Sequence, residues 1–246
     1  MTETAGHVYA DKYYDYIDRG SIRSADGVIP VVRRHVDVNS VLDVGCGRGA
    51  WLRQWAASGV SDFVGVDGDY VQVDKLPFSA DHFVAADLTR PLDLGRRFDL
   101  VQCLEVAEHL PLSAADTLID SLVHHGDAVL FSAAVPGQGG EFHVNEQPIA
   151  FWAEKFRQRG FDAWDIIRPP LLALSSVEPW YRYNTVLYVR SGALTFDRKQ
   201  RFPAEGYREP KAWRIRNALI GLLPRFAVDR LARLKHAFVR TIHAGR

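Results

Sequence analysis

The chain has 246 residues, of which 47% are hydrophobic and 24% charged, and its formal net charge is zero. This is the composition of an ordinary globular protein, and no run approaches the roughly 20 apolar residues that a membrane span requires. The charge is unevenly distributed, because residues 191–246 hold 13 Lys and Arg against 4 Asp and Glu. Residues 1–190 therefore carry an equal and opposite acidic balance.

Two features of the sequence favour a cytoplasmic setting. The opening stretch, MTETAGHVYADKYYDY, lacks the basic start and the apolar core of a signal peptide. The chain has only two cysteines, Cys46 and Cys103, and their positions do not indicate a disulfide framework. We therefore expect a reducing, cytoplasmic location.

The predicted elements begin with two short helices, over 9–19 and 27–35. The pattern then predicts, in chain order, a strand at 40–44, a helix at 50–57, strands at 62–66, 82–85 and 98–104, a helix at 113–125, a strand at 128–133, a helix at 148–158, and strands at 161–167 and 185–189. Apolar strands alternating with amphipathic helices predict an α/β fold with a mostly parallel sheet and helices on both faces. The last two strands have no predicted helix between them, so we expect an antiparallel pair at the end of the sheet.

Three regions follow from this pattern: an N-terminal helical segment (1–37), the α/β domain (38–190) and a basic helical C-terminal extension (191–246). The extension is predicted to be helical over 211–242, with breaks at Gly221 and Pro224. It mixes Leu, Ile, Phe and Val with Arg and Lys at helical spacing. In one interpretation it lies on an anionic membrane surface as a peripheral contact. In the other it packs on the core or on a second subunit of a dimer.

The stretch SVLDVGCGRGAWL, residues 40–52, places three glycines between a predicted strand and a predicted helix: Gly45, Gly47 and Gly49. Bare backbone at this point can approach a ligand closely, and the helix N-terminus favours a negative group. The spacing with Ala50 also satisfies the dinucleotide fingerprint, and Asp67 follows at the ribose-binding distance, so an NAD-dependent oxidoreductase is one interpretation. Asp43 argues against it, because a carboxylate two residues before the glycines suits a cofactor with a cationic amino acid end.

The ordered motifs VLDVGCGRGAWL, FVGVDGD, AADL and FDLVQCLEVAEHL resemble those of class I S-adenosylmethionine (SAM)-dependent methyltransferases over roughly residues 38–190. The resemblance implies a Rossmann-like sheet and a SAM site in which the three glycines lie against the cofactor. It places Asp43 near the methionine ammonium, Asp67 on the ribose hydroxyls and Asp87 on the adenine. The implied cofactor contacts also include Leu88 and Cys103. A non-catalytic cofactor-binding protein is the alternative from a different class.

The fourth predicted strand ends in Glu105-Val-Ala-Glu108-His109. If these residues form a helical turn, Glu105, Glu108 and His109 share one face, and a divalent cation would relieve the repulsion between the carboxylates. His143, in GGEFHVNEQ, follows the fifth strand and opens onto the same crevice. The catalytic candidates are therefore His109, His143 and Glu108.

E-x-x-E-H with a distal His resembles the metal site of small-RNA 3′-terminal 2′-O-methyltransferases, and ubiquinone-pathway catechol O-methyltransferases share its E-x-x-E-H part. By that resemblance, Glu105, Glu108, His109 and His143 hold Mg²⁺ or Mn²⁺, and the metal lowers the pKa of a substrate hydroxyl. The alternative is a metal-independent O-methyltransferase in which His109 or His143 is the general base.

The segment GGEFHVNEQPIAFWAEKFRQRGF, residues 139–161, resembles one common in bacterial methyltransferases found with polysaccharide or glycolipid biosynthesis. A vicinal diol suits a metal-assisted site, and Trp180, Tyr181 and Tyr183 could stack on a sugar ring. We therefore expect a carbohydrate hydroxyl as the acceptor. An RNA acceptor would use the same metal site and the basic extension, but the acidic balance of the remaining chain argues against nucleic acid.

Overall fold

The computed structural model describes residues 11–202 and 209–224, together with 227, 228 and 230; over 11–18 it describes the backbone only. The described helices are α1 (Asp11–Val32), α2 (Ala50–Ala57), α3 (Ala115–His125), α4 (Ile149–Arg157), α5 (Arg168–Leu171), α6 (Pro179–Asn184) and α7 (Lys211–Gly221). The strands are β1 (Ser40–Val44), β2 (Asp62–Asp67), β3 (Phe83–Ala85), β4 (Leu100–Leu104), β5 (Ala128–Ser132), β6 (Phe161–Trp164) and β7 (Val186–Arg190).

The strands form one sheet in the order β3-β2-β1-β4-β5-β7-β6. The first five strands in this order pair in parallel, and β7 runs antiparallel to both β5 and β6. The predicted mostly parallel sheet with an antiparallel end pair is confirmed. The chain order reverses between β1 and β4, and in open α/β sheets the crevice beyond the carboxyl ends of such strands is where ligands bind.

Two hydrophobic clusters cover the faces of this sheet. Neighbouring strand residues alternate between them: Val41 packs in one cluster and Leu42 in the other, and Leu100 and Val101 divide in the same way. Helices α1, α2 and α5 cover the first face, while α3 and α4 cover the second. Because the central strands are buried on both faces, they read as continuous apolar runs in the sequence.

The N-terminal region differs from its prediction. One helix of 22 residues, α1, replaces the two short helices expected over 9–19 and 27–35. Gly20 and Gly27 weaken the helical pattern in the sequence, but both lie where the helix meets the loop before α6. A Cβ at Gly27 would lie 2.6 Å from Val177 Cγ2, and one at Gly20 would lie 3.3 Å from the Glu178 side chain. These glycines permit close packing and do not break the helix.

The expectation of no helix between the last two strands is also wrong. Two short helices, α5 and α6, lie there, and each has proline in its first turn, Pro169 with Pro170 in α5 and Pro179 in α6. Proline is favoured at that position because its missing N–H would have no partner there. Both helices therefore carry proline in the first turn, where it starts a helix and does not break it.

The C-terminal extension contributes α7, which begins at Lys211 as predicted and ends at the predicted break, Gly221. Most of the expected continuation to residue 242 lies outside the described residues. No helix within the described ranges is long and apolar enough to cross a membrane.

Candidate active site

The glycine loop connects β1 to α2 at the reversal point of the sheet. Gly45, Gly47 and Gly49 all have positive φ, at 85°, 53° and 74°, which is strained for any residue with a side chain. A Cβ at Gly45 would overlap the Val106 side chain, whereas a Cβ at Gly47 would meet nothing within 4 Å. The loop therefore packs on the turn after β4 at one end and presents bare backbone to open space in its middle.

Asp67, at the end of β2, connects this loop to its own strand. Its Oδ2 accepts a hydrogen bond from the Gly47 N–H at 2.7 Å, and its Oδ1 accepts from the Gly68 N–H at 2.7 Å and from the Tyr70 hydroxyl. The contact with Tyr70 places a hydroxyl donor on this carboxylate, which is the chemistry by which an acidic residue binds a ribose.

Asp43, in β1, is a buried carboxylate at the foot of the glycine loop. It is 3% exposed, and none of the described residues donates a hydrogen bond to its Oδ2. Burial raises the pKa of Asp43 to about 7, and the negative charge of Asp67 adds to the rise. A buried carboxylate with one unpartnered oxygen fits a cationic ligand group, which would stabilise its ionised form.

The other residues expected at the cofactor have different surroundings. Asp87 is exposed, and its Oδ1 accepts from the Thr89 N–H at 2.9 Å and from the Thr89 hydroxyl at 2.7 Å. These hydrogen bonds lower the pKa of Asp87, and its carboxylate holds the turn after β3. Leu88 packs partly buried against the second core cluster, and Cys103 is fully buried within that cluster.

The turn after β4 departs from the expected helical face. Glu105 has a φ of 57°, so it lies outside any helix, and only Ala107–His109 form a single 3-10 turn. The expectation that Glu105, Glu108 and His109 share a helical face is therefore wrong. The left-handed residue turns the chain away from β4, and the Glu105 N–H remains bonded to the Ser132 carbonyl of β5 at 3.0 Å.

Two carboxyl groups nevertheless lie together here, that of Glu108 fully buried and that of Glu105 partly buried. Glu108 is completely buried, and no described residue donates to either of its side-chain oxygens. Glu105 accepts from the Gln138 amide at 2.9 Å through Oε2, while its Oε1 has no described donor. Burial raises the pKa of both groups, and the negative charge of Glu105 raises the pKa of Glu108 further. A pair of buried carboxyls with unpartnered oxygens is costly unless a cation or protons neutralise it.

The distal histidine lies beside this pair, as the sequence predicted for the crevice. One ligand atom each from Glu108, His109 and His143 lie within 4.8 Å of one another, and Glu105 is not part of that group. The His109 and His143 rings meet edge to face, with 5.0 Å between their centroids. A carboxylate and two imidazoles at these separations are a donor set that suits a divalent cation.

Sequence reasoning missed Glu146, which orients His143. The Glu146 carboxylate lies 2.9 Å from His143 Nδ1 and accepts from the Gly137 and Gly139 N–H groups at 2.8 Å each. Since an ionised carboxylate only accepts, Nδ1 carries the proton and Nε2 keeps its lone pair. The hydrogen bond to His143 helps to lower the pKa of Glu146 against the opposing effect of burial. The spacing H-x-x-E was the one signal in the sequence.

The loop that carries His143 is bonded directly to the turn after β4. The N–H groups of Val144 and Asn145 both donate to the Glu108 carbonyl, at 2.8 and 3.1 Å, and the Asn145 amide donates to the Ala107 carbonyl at 3.3 Å. These bonds explain why residues more than 30 positions apart in the sequence form one cluster.

Comparison with known proteins now adds to this geometry. A family model described as a methyltransferase domain matches residues 22–130, which include the glycine loop, β2, β3, the turn after β4 and α3. Residues 22–130 therefore match a methyltransferase domain, and the sheet has the Rossmann-like methyltransferase fold. The match begins inside α1. A search of curated protein sequences found no match.

Solved structures share the fold of this methyltransferase at low identity. An O-methyltransferase family protein from Burkholderia thailandensis has a TM-score of 0.55 and 17% identity, covering 74% of this chain and 59% of its own. The sugar N-methyltransferase KedS8 from Streptoalloteichus has a TM-score of 0.53 and 19% identity, and the alignment covers 77% of this chain and 98% of KedS8. CalS10, an amino pentose methyltransferase from Micromonospora echinaspora, has a TM-score of 0.52 and 15% identity, and the alignment covers 77% of this chain and 100% of CalS10. The chain spans 62% of the length of DesVI from Streptomyces venezuelae.

The site fits the cofactor that this domain implies. SAM carries a cationic sulfonium and a cationic amino acid end, and Asp43 offers a buried carboxylate oxygen with no described donor. The glycine loop offers open backbone at Gly47, and Asp67 already binds a hydroxyl. When bound, SAM supplies an activated methyl group.

Proposed function

We propose that the protein is an O-methyltransferase that transfers the SAM methyl group to a carbohydrate hydroxyl with the help of a divalent cation. The observation that carries this proposal is the group of Glu108, His109 and His143, whose ligand atoms lie within 4.8 Å of one another, with Glu108 buried, His143 partly buried and His109 exposed. Glu108 has two buried oxygens without described donors, which is the situation that a cation relieves.

In this proposal Glu108, His109 and His143 hold the cation, and Glu105 adds negative charge beside Glu108. When bound, Mg²⁺ or Mn²⁺ would lower the pKa of a hydroxyl group and align it. Glu146 holds the His143 ring through Nδ1, which leaves the Nε2 lone pair for the cation, and Gln138 holds Glu105. Positioning a nucleophile in line with an activated methyl group can by itself supply a large part of the rate.

A carbohydrate acceptor is supported by its chemistry, because sugars carry vicinal hydroxyl groups and a divalent cation chelates such pairs well. It also agrees with two structural neighbours whose own substrates are sugars, KedS8 and CalS10. Those two proteins share only the fold with this chain, so the acceptor is proposed from the chemistry of the donor set.

A second candidate is a metal-independent O-methyltransferase in which His143 is the general base. The specific observation in its favour is the 2.9 Å pair between His143 Nδ1 and Glu146, because a carboxylate behind an imidazole orients the ring and fixes its tautomer. In that mechanism His143 Nε2 takes the proton of the acceptor hydroxyl.

The experiment that separates these candidates is methyl transfer from SAM to a panel of sugars and glycolipids, with and without EDTA. Two variants are measured beside the wild type, Glu108→Gln and His143→Ala. The metal-assisted proposal expects EDTA and Glu108→Gln each to abolish transfer. Transfer that survives both, and is lost only in His143→Ala, would overturn it in favour of the general base.

A further inference from the structure

Helix α7 of the C-terminal extension makes direct contact with the loop that carries His143, defined here as residues 135–147. Arg216 Nη1 donates to the Gln138 carbonyl at 2.8 Å and to the Asn217 side-chain oxygen at 2.9 Å. The Arg216 guanidinium also lies over the Trp213 ring, 4.7 Å from its centroid. The Arg216 side chain is therefore held in place from its own helix while it binds the loop.

The backbones of α7 and this loop touch without intervening side chains. Gly137 has a φ of 77°, and a Cβ added there would overlap the backbone oxygen of Asn217. Gly139 has a φ of 70°, and a Cβ there would lie 3.1 Å from Ile220 Cγ2. Asn217 is buried by this contact. The positive φ favours glycine at both positions, and at Gly137 the backbone of α7 leaves no room for a side chain.

Gln138 connects α7 to Glu105 through hydrogen bonds at both ends of the residue. Its backbone carbonyl is bound by Arg216, its side-chain amide donates to Glu105 Oε2 at 2.9 Å, and its side-chain oxygen accepts from Asn184 at 2.7 Å. Gln138 is 5% exposed, so these bonds are shielded from water. On either side of it, the Gly137 and Gly139 N–H groups hold Glu146, which in turn holds His143.

We propose that Arg216 is a positioning residue, through which α7 fixes the loop so that Gln138 orients Glu105 and Glu146 orients His143. The inference rests on the proposed function, because it concerns the residues that would hold the cation. It makes the C-terminal extension a structural part of the site and not only an appended tail. Arg216 itself touches neither the donor atoms nor the glycine loop.

The test compares Arg216→Ala and Arg216→Lys with the wild type and with Arg214→Ala, a control on an exposed position of the same helix. Gly137→Ala perturbs the contact from the loop side, which keeps the test valid if one variant misfolds. The first readout is Mn²⁺ affinity by titration calorimetry. Removing a group that orients metal ligands typically weakens binding about 10–100-fold. We expect this loss in Arg216→Ala and Gly137→Ala, partial recovery in Arg216→Lys, and wild-type affinity in Arg214→Ala.

The second readout needs no metal. Nitrogen chemical shifts of His143, measured by NMR in the metal-free protein, report which ring nitrogen carries the proton. The wild type should show the Nδ1–H form, and Arg216→Ala a mixture of forms. If Arg216→Ala keeps both the wild-type affinity and the single form, the inference is overturned. If the wild type takes up no Mn²⁺, the metal proposal fails, and the NMR comparison still decides the role of Arg216.

Discussion

Replacing Asp43 by Asn tests the cofactor site through its electrostatics. The carboxylate is completely buried, and its pKa is raised from an ordinary 3.8 to about 7. A group with a raised folded-state pKa costs no stability below pH 4, and its cost grows as the pH rises toward 7. At about 1.4 kcal/mol for each pH unit, the ionised carboxylate costs the cofactor-free protein about 4 kcal/mol above pH 7.

Asp43→Asn keeps the shape and removes the charge. We therefore expect the cofactor-free variant to be more stable than the wild type at pH 8, by up to about 4 kcal/mol, with the gain vanishing near pH 4. Urea unfolding followed by tryptophan fluorescence at several pH values measures this. Asp74→Asn, at an exposed carboxylate, is the matched control and should change stability by less than about 0.5 kcal/mol.

The same substitution should weaken SAM binding, because the variant loses the negative charge that faces the cationic cofactor. In the wild type, calorimetry should show SAM affinity rising with pH up to about 7, and this rise should be absent in Asp43→Asn. A variant that is equally destabilised at pH 5 and pH 8, and that binds SAM with unchanged pH dependence, would refute the assignment of a buried, cation-facing carboxylate.

Three further predictions concern other parts of the structure. Glu108→Gln should raise the melting temperature of the metal-free protein, and more at pH 8 than at pH 5, because burial raises the pKa of this carboxyl. The same variant should lose any further rise in melting temperature on adding Mn²⁺. Scanning calorimetry that finds the Mn²⁺ effect intact in Glu108→Gln would contradict the metal site. Asp67→Asn should weaken SAM binding at least about tenfold in calorimetry, because a carboxylate that accepts from three donors becomes an amide with one acceptor oxygen. Unchanged SAM affinity would rule out a role of Asp67 in cofactor binding. We also propose that α7 and the residue after it contact anionic membranes through exposed apolar side chains. Leu219, in α7, and Leu222, directly after it, are 61% and 81% exposed, so changing both to Asp should abolish flotation with anionic liposomes. A wild type that does not bind such liposomes at low salt would contradict this proposal.

The elements of the sheet could be predicted from the sequence because their causes are local. The run at β1 and the helix at α2 were predicted with the observed bounds, since an apolar strand followed by glycines has few other interpretations. The antiparallel end pair was also correct. The prediction of two helices in place of α1 was wrong because Gly20 and Gly27 allow close packing against residues more than 140 positions away, which the local sequence does not show.

The sequence predicted which residues form the candidate site, but not the backbone geometry that brings them together. His143 does join Glu108 and His109, but the left-handed φ of Glu105 removes the helical face on which the grouping was argued. Gln138 could not be found, because its role depends on Arg216, which lies 78 positions further along the chain. Contacts of that range leave no periodic pattern in the sequence.

The most direct test of the account is a crystal structure of the protein with S-adenosylhomocysteine and Mn²⁺, recorded with anomalous data. We expect an anomalous peak about 2.0–2.4 Å from ligand atoms of Glu108, His109 and His143, and the cofactor lying across Gly47 with its amino group toward Asp43. A structure with the cofactor in place but no anomalous density in this cluster would contradict metal-assisted methyl transfer.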